Sequence, residues 1–205
     1  MHTPELIRTV EAALTYLAQY SEELRDLDAA LGDGDLGITI SAGSAAVIEV
    51  LGNLAEEATP AAVLRSAAAA FANANPSTMA ALVGGALLAA AREIANVADV
   101  DTRAGLSIGR AAAQSISARG KSQIGDKTIL DALVPALDAM ESATDNVLET
   151  GILAAREGVE NTRSLQSMRG RASWLGERSK GLQDPGATAF LRFLEGLDNA
   201  RRSTS

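Results

Sequence analysis

Apolar residues near the start of the chain recur at alternating spacings of four and three, from Leu6 to Leu31. That spacing keeps them on one face of an α-helix for about seven turns. Thr3-Pro4-Glu5 is typical of a helix start, because threonine caps, proline suits the first turn and an acid favours the N-terminus. We therefore predict a helix that ends before Gly32, with Ser21 as a candidate break.

Similar periodic patterns cover most of the remaining chain, and no stretch alternates with the period of two that marks a half-buried strand. The pattern predicts an all-α fold of about eight helices. Because no low-complexity linker or internal repeat divides the chain, we expect one domain over residues 1–205. The further helices are predicted at residues 38–51, 60–73, 78–97, 103–118, 128–142, 146–161 and 187–201.

Short connections make consecutive helices antiparallel neighbours, so alternate loops share one end of the bundle. The loops after the first, third, fifth and seventh helices are "GDGDLG", "NANPST", "RGKSQIGDKT" and a long segment over residues 162–186. The loops at the opposite end are ordinary polar turns. We therefore expect every chemically unusual loop to lie at the same end.

The amino-acid composition excludes several kinds of functional site at that end. The net charge of −8 argues against a basic surface for nucleic acid. Cysteine is absent and the only histidine is His2, so thiolate zinc sites and internal histidine catalysis are excluded. The N-terminus does not resemble a secretion signal, and polar residues interrupt the uncharged stretch over residues 66–91. We expect a cytoplasmic protein that binds neither nucleic acid nor a membrane.

The stretch "GDGDLG" fits the glycine spacing of a phosphate-binding loop, yet Asp33 and Asp35 would repel a bare phosphate. Asp28 lies nearby, at the border of the apolar stripe and near a helix C-terminus, where the dipole disfavours an anion. Tight Asp-Gly turns are the alternative explanation. Three crowded carboxylates instead indicate a hard cation, Mg²⁺ or Ca²⁺. A nucleotide–metal complex at the next helix N-terminus, near Gly37, satisfies both halves of the motif.

Two further loops at this end have weaker signals. Ser77 and Thr78 follow a proline at a helix start, which indicates either simple capping or a second phosphate-facing helix end. "RGKSQIGDKT" resembles a P-loop but lacks its first glycine, since Ser115 stands there. Thr128 and Asp131 instead fit a capping box for the next helix.

The segment over residues 162–186 is too long for a simple connection, and loops of this length are usually functional. It contains Trp174, the only tryptophan, and the sequence "QDPGA" leads directly into a helix. Both features favour an ordered loop over a solvated one. Its basic residues outnumber its two acids and are expected to attract phosphate: Arg163, Arg169, Arg171, Arg178 and Lys180.

Three blocks, "LDAALGDGDLG", "GDKTILDAL" and "GRASWLGERSKGLQDPGATAF", resemble the nucleotide-binding L subunit of dihydroxyacetone kinases in sequence, order and spacing. The resemblance implies an eight-helix antiparallel barrel with a nucleotide at one end. It implies that Asp28, Asp33 and Asp35 hold two Mg²⁺ ions. It also implies a nucleotide site lined by Leu36, Gly37, Ile38, Thr39, Ser77, Thr78, Gly120, Ile129, Arg171, Asp184, Pro185 and Gly186.

The chain departs from the family pattern at three of these positions. Leu36 replaces a histidine, Thr78 replaces a glycine and Ile129 replaces a methionine. The metal assignment is unaffected by these changes. The nucleotide contacts around Leu36 and the identity of the sugar are the features they put in question.

The resemblance also implies a reaction. An L subunit transfers a phosphoryl group to a small ketose that a separate K subunit holds covalently through a histidine. Arg171 is the candidate catalytic residue for charge stabilisation. The donor is either free ATP or tightly bound ADP that a phosphocarrier protein of the phosphotransferase system recharges. Dihydroxyacetone is the first candidate acceptor and erythrulose the second, and a regulatory nucleotide-binding protein is the alternative from another class.

Overall fold

The computed structural model describes residues 1–55 and 57–203, and in this part of the chain all regular structure is helical. The all-α prediction is confirmed. Two short 3₁₀ helices, Thr162–Ser164 and Arg171–Ser179, interrupt the long loop. The α-helices are α1 (Thr3–Ala18), α2 (Ser21–Leu31), α3 (Leu36–Gly52), α4 (Pro60–Ala74), α5 (Thr78–Glu93), α6 (Thr102–Gly120), α7 (Leu130–Ser142), α8 (Val147–Asn161) and α9 (Pro185–Arg202).

The first predicted helix is two helices in the structure, with the break at Gln19 and Tyr20. The chain tightens there, because the N–H of Gln19 donates to Tyr16 and that of Tyr20 donates to Leu17, three residues back. Tyr20 is held in place by the guanidinium of Arg192 in α9, which lies 4.3 Å from the ring centroid. The candidate break at Ser21 is therefore confirmed, since α2 begins at that residue, although the apolar stripe continues through the break.

The helices close into a ring around an apolar interior. Each of α3 to α8 packs against the next helix in the chain, and α1 contacts both α3 and α9. Small residues allow this closure: a Cβ at Gly196 would lie 2.8 Å from the carbonyl oxygen of Ala13. Helix α2 lies outside the ring between α3 and α9. The predicted barrel is therefore confirmed, with α2 as an addition to it.

Helix bounds differ from the predicted ones by a few residues. The largest difference is α5, which ends at Glu93 rather than at residue 97. Helix α3 begins at Leu36, two residues before the predicted start, and α9 begins at Pro185. The uncharged stretch over residues 66–91 divides between α4 and α5, and none of the helices described in this structure has the length and apolar character needed to cross a membrane.

Candidate metal and nucleotide site

Three carboxylates gather where α2 ends and α3 begins. Carboxylate oxygens of Asp28, Asp33 and Asp35 all lie within 4.8 Å of one another. Asp28 is in the last turn of α2, Asp33 lies in the connection and Asp35 directly precedes α3. Asp28 and Asp35 are half-buried, whereas Asp33 is exposed. The geometry brings together the three residues that the sequence singled out.

Two glycines explain how the chain makes this compact turn. Gly34 has φ +77°, a conformation that residues with a Cβ rarely adopt. Gly37 is in the first turn of α3, and a Cβ there would collide with the carbonyl oxygen of Ser21 in α2. This glycine therefore lets two helices approach each other. Gly37 is therefore needed for the contact between the two helices, whereas the sequence pattern suggested it as part of a phosphate-binding loop.

The carboxylate cluster already attracts a positive charge from elsewhere in the chain. The guanidinium of Arg171 contacts the carboxylate of Asp33, and its Nη1 lies 3.8 Å from Oδ2 of Asp35. Burial raises the pKa of Asp35, and the neighbouring charge of Asp28 raises it further. Crowded like charges and hard oxygen donors are a set that fits Mg²⁺ or Ca²⁺ and lacks the softer ligands preferred by other metals.

The start of α5 lies beside the start of α3. The hydroxyl of Thr39 donates to Oγ of Ser77 at 3.4 Å and accepts from Nδ2 of Asn75 at 2.9 Å. Ser77 also caps α5 by accepting from the N–H of Ala80 at 3.1 Å. The proton of the Ser77 hydroxyl is left to donate to another group. Thr78, the first residue of α5, is exposed.

The starts of α7 and α9 meet the same end of α5. A Cβ at Gly186 would lie 3.3 Å from Cε of Met79 and 3.6 Å from the backbone nitrogen of Ile129. Gly186 is buried in the first turn of α9, directly after Pro185. Gly120 ends α6, and a Cβ there would lie 3.8 Å from Leu82. The predicted nucleotide-lining segments therefore come together in space.

Four helices, α3, α5, α7 and α9, present their N-termini at this end. A helix N-terminus has a partial positive charge and unpaired N–H groups, both of which favour an anion. Local backbone dipoles can therefore attract phosphate to this end of the molecule, although the net charge of the chain is −8. The carboxylate cluster lies at the edge of this electropositive area, next to α3.

Asp184 contributes to the same end as the N-cap of α9. Its Oδ2 accepts from the N–H of Ala187 at 2.7 Å, and its own N–H donates to Thr162 at 2.8 Å. Burial raises the pKa of Asp184 to about 7, against the opposing effect of the hydrogen bond from Ala187. Asp184 is therefore engaged within the protein, so a ligand at this end would meet an already organised helix start.

Some predicted contacts take a different form in the structure. The Leu36 side chain belongs to the apolar core, so only its backbone faces the carboxylates. Thr39 is 1% exposed and its hydroxyl is fully engaged with Ser77 and Asn75. Ile38, in contrast, is 60% exposed. Asn75 has no place in the sequence prediction, because its role depends on a contact 36 positions away.

The long loop is ordered, as predicted, but Trp174 is not the cause. Its side chain is 82% exposed and projects from the second 3₁₀ helix. Several of the loop's basic residues are also paired with acids of the protein rather than left for a ligand. Arg163 pairs with Glu160, Arg169 with Asp126 and Lys180 with Glu177. Among the cations predicted to attract phosphate, Arg171 reaches the carboxylate cluster.

The loop over residues 119–128 does not act as a P-loop. Lys127 is buried and its ammonium group donates to backbone carbonyls of the long loop. The predicted capping box is present in modified form: Asp131 accepts from the N–H of Thr128 at 2.7 Å, while Thr128 Oγ1 accepts from Leu130 at 3.3 Å. Lys127 was missed as a structural residue because the sequence drew attention only to its P-loop-like neighbours.

Comparison with known proteins gives a family and a fold. The DAK2 domain family matches residues 30–199. Among solved structures, the dihydroxyacetone kinase from C. freundii in complex with AMP-PNP and Mg²⁺ superposes with a TM-score of 0.77 at 25% sequence identity. The match covers 95% of this chain and 33% of that chain.

Two curated relatives differ in how much of their length this chain spans. The chain is 33% identical to the L-erythrulose 1-kinase of Mycolicibacterium smegmatis, covering 94% of this chain and 34% of the kinase. It is 29% identical to the ADP-binding subunit DhaL of the PEP-dependent dihydroxyacetone kinase of Escherichia coli, covering 86% of this chain and 87% of the subunit. The chain therefore matches most of the Escherichia coli subunit but about a third of the Mycolicibacterium smegmatis kinase.

Proposed function

The chain belongs to the DAK2 domain family, and from this we propose that it is the nucleotide-binding subunit of a dihydroxyacetone-type kinase. In this proposal residues 1–205 act as one domain that transfers a phosphoryl group to a small ketose. The observation that supports it most directly is the group of three carboxylates within 4.8 Å, placed next to several helix N-termini.

Asp28, Asp33 and Asp35 would hold the metal, which we take to be two Mg²⁺ ions. When bound, Mg²⁺ supplies positive charge that offsets the charge of the phosphates. The protein contributes fixed groups around it. Helix N-termini favour the anion, the Ser77 hydroxyl has a proton to donate, and Arg171 brings a guanidinium to the same place.

The nucleotide would lie across the starts of α3, α5, α7 and α9. Leu36 contacts it through the backbone, since its side chain is in the core, and Ile38 offers an exposed apolar side chain. Arg171 is the proposed catalytic residue, as its charge can oppose the charge that develops on the transferred group. The full proposed lining is Leu36, Gly37, Ile38, Thr39, Ser77, Thr78, Gly120, Ile129, Arg171, Asp184, Pro185 and Gly186.

The acceptor would be held by a separate K-type subunit, because this chain has no internal histidine to hold a ketone covalently. Dihydroxyacetone is the first acceptor to test. Erythrulose is the second, since two relatives at 33% identity are named as L-erythrulose and D-erythrulose kinases. The sugar would be in contact with the K-type subunit. Which ketose is phosphorylated therefore has to be tested with that subunit present, because this chain alone does not determine it.

Two donors are compatible with the same site. With free ATP as the donor, the nucleotide binds, reacts and leaves as ADP. With bound ADP as the carrier, the nucleotide stays in the site and a phosphocarrier protein recharges it, as the names of PEP-dependent and PTS-dependent relatives suggest for those proteins. The two differ in how quickly bound nucleotide exchanges.

Native mass spectrometry of the purified protein, followed by exchange with labelled ATP, tests the proposal and separates the donors. Slowly exchanging ADP with two Mg²⁺ ions would support the recharged cofactor, whereas an empty protein that exchanges ATP quickly would support the ATP-dependent kinase. Turnover of dihydroxyacetone or erythrulose with a K-type subunit would exclude a purely regulatory role. Binding of neither nucleotide nor Mg²⁺ would refute the proposal.

A further inference from the structure

Lys127 is a buried lysine whose three ammonium hydrogens can all be accounted for. The residue is 2% exposed, and Nζ donates to the carbonyl oxygens of Leu165 at 3.3 Å, Ser179 at 2.5 Å and Leu182 at 2.6 Å. Burial lowers the pKa of Lys127. An ammonium group has three donors, so Lys127 has none left for a phosphate.

The neighbouring residue Asp126 contacts the same loop. Its backbone carbonyl accepts from the N–H of Met168 at 3.0 Å, and its carboxylate accepts from Nε of Arg169 at 2.8 Å. Together, Asp126 and Lys127 bind the segment over residues 165–182 near both of its ends. The left-handed backbone at Lys127, with φ +59°, is part of the turn that precedes α7.

Between these attachment points, the Ser179 hydroxyl ties the loop to itself, since its Oγ accepts from the N–H of Ser167 at 2.9 Å and donates to the carbonyl oxygen of Gly176 at 2.6 Å. Trp174 in its centre is 82% exposed, and Gly176, with φ +58°, interrupts the 3₁₀ helix. The same central part carries Arg171, which contacts Asp33 of the carboxylate cluster. Where Arg171 lies relative to the cluster therefore depends on how the base of the loop is held, alongside the contacts of the second 3₁₀ helix with α2.

We propose that Lys127 is a positioning residue that holds the base of the 165–182 loop and thereby keeps Arg171 at the carboxylate cluster. The functional part of this inference rests on the proposed function, because it concerns Arg171 acting on a nucleotide. The structural part does not, since loop position can be measured in the ligand-free protein. Lys127 would act through Arg171 and make no contact with the nucleotide itself.

The wild-type protein allows a first test, because its lysines are Lys121, Lys127 and Lys180. Lys121 and Lys180 are exposed. Under brief acylation, mass spectrometry of peptides should show Lys127 labelled at least tenfold more slowly than either, on the order expected for a site reached only by local opening. Arg169→Ala, which removes one attachment of the loop, should speed labelling of Lys127 and leave Lys121 unchanged. Equal labelling of all three lysines would overturn the proposal.

Hydrogen exchange of Lys127→Met is the second test. The variant leaves three carbonyls without this donor, that of Ser179 buried and those of Leu165 and Leu182 partly buried, so the loop should open to hydrate them. The amides of Ser167, Met168 and Gly181, which are bonded within the loop or to Asp126, should exchange faster. Lys180→Met is the matched control, because Lys180 is an exposed lysine of the same loop, and its exchange should match wild type. Wild-type exchange in Lys127→Met would contradict the proposal even if no nucleotide binds.

A double-mutant cycle measures the functional part. Lys127→Met should lower kcat with the K-type partner about tenfold to hundredfold, the size of effect seen when a reacting group is displaced. In an Arg171→Ala background the same change should have almost no further effect, because the residue it positions is gone. Additive losses would show that Lys127 does not act through Arg171. If Lys127→Met does not fold, the same cycle with Arg169→Ala and the labelling test still decide.

Discussion

The carboxylate of Asp28 accepts a hydrogen bond from the backbone N–H of Leu36 at 3.1 Å, although the two residues belong to different helices. Asp28 lies at the C-terminal end of α2, where the helix dipole disfavours an anion, and Leu36 begins α3. The N-terminus of α3 offsets that unfavourable position. The first carboxylate of the cluster is therefore oriented by the protein itself, before any cation contributes.

Asp33 is the carboxylate to change first, because it is exposed and its loss should leave the fold intact. Asp33→Asn keeps the shape of the side chain and removes its charge. We expect Mg²⁺-ADP affinity to fall by more than the roughly 10–100-fold typical of changing a residue that only supports a metal ligand. Isothermal titration measures the affinity and circular dichroism the helix content, which should not change.

Asp26→Asn is the control for that experiment. Asp26 is an exposed aspartate of α2, paired with Arg25, and lies outside the carboxylate cluster. It alters net charge by the same amount as Asp33→Asn. Equal losses in the two variants would mean that overall charge, and not a metal site, governs binding.

Arg171 is expected to affect catalysis more than nucleotide affinity. Arg171→Ala should lower kcat about 10²–10³-fold, the cost of removing one stabilising donor from a charged transition state. KM for the nucleotide should change much less. Steady-state kinetics with the K-type partner measures both, and Arg178→Ala, in the same exposed loop, is the control. A loss confined to KM would assign Arg171 to binding alone.

Arg171 should also compete with Mg²⁺ in the absence of nucleotide, because its guanidinium contacts Asp33. Without the guanidinium, the carboxylates attract a Mg²⁺ ion more strongly, because one competing positive charge has been removed. Arg171→Ala should therefore bind Mg²⁺ several-fold more tightly at low ionic strength, and added salt should reduce the difference. Titration of Mg²⁺ into wild type and variant measures it; weaker binding by the variant would contradict this view of the contact.

The sequence predicted elements well wherever the signal is local. The helix stripes and the cap at Ser77 depend on residues within one or two turns. The break before Ser21 was also placed from the sequence, although the buried positions Leu17 and Leu24 on either side keep the helical spacing. The grouping of four loops at one end survived this added break, as the Thr39–Ser77, Arg171–Asp33 and Arg169–Asp126 contacts show.

What the sequence did not indicate are hydrogen-bond partners far along the chain. Lys127 meets Leu182 across 55 positions, and Asn75 meets Thr39 across 36. No local spacing encodes such pairs, so nothing in the sequence marked Lys127 as a buried residue. The same reason explains why Arg169 suggested phosphate binding, although it pairs with Asp126, 43 positions away.

Asp184 should make stability depend on pH. Burial raises its pKa to about 7 in the folded protein, against the ordinary value of 3.8 for an aspartate; the charges of Asp131 and Lys127 act on it in opposite directions. Between these two values the unfolded chain loses the proton and the folded protein keeps it. The free energy of unfolding should therefore fall as pH rises from about 4 to 7, by at most about 4 kcal/mol, and level off above.

Asp184→Asn tests this, because asparagine also caps helices but does not titrate. Urea unfolding of both proteins at several pH values between 4 and 8 gives the difference in stability, in which the other titrating groups cancel. The advantage of the variant should grow with pH. A difference that stays constant from pH 4 to pH 8 would mean that Asp184 ionises in the fold as it does in water.

Gly37 provides a final test of how the carboxylate cluster is built. A Cβ at this position would collide with the Ser21 carbonyl and lie 2.8 Å from Cβ of Arg25, so Gly37→Ala must push α3 away from α2. We expect the free energy of unfolding to fall by about 1–3 kcal/mol, as for other overpacked sites. Gly105→Ala in α6 is the matched control, because a Cβ there meets nothing within 4 Å. That change should stabilise the helix by about 0.5–1 kcal/mol. Urea unfolding compares the two variants, and a stabilised Gly37→Ala would show that the cluster does not depend on close contact between the two helices.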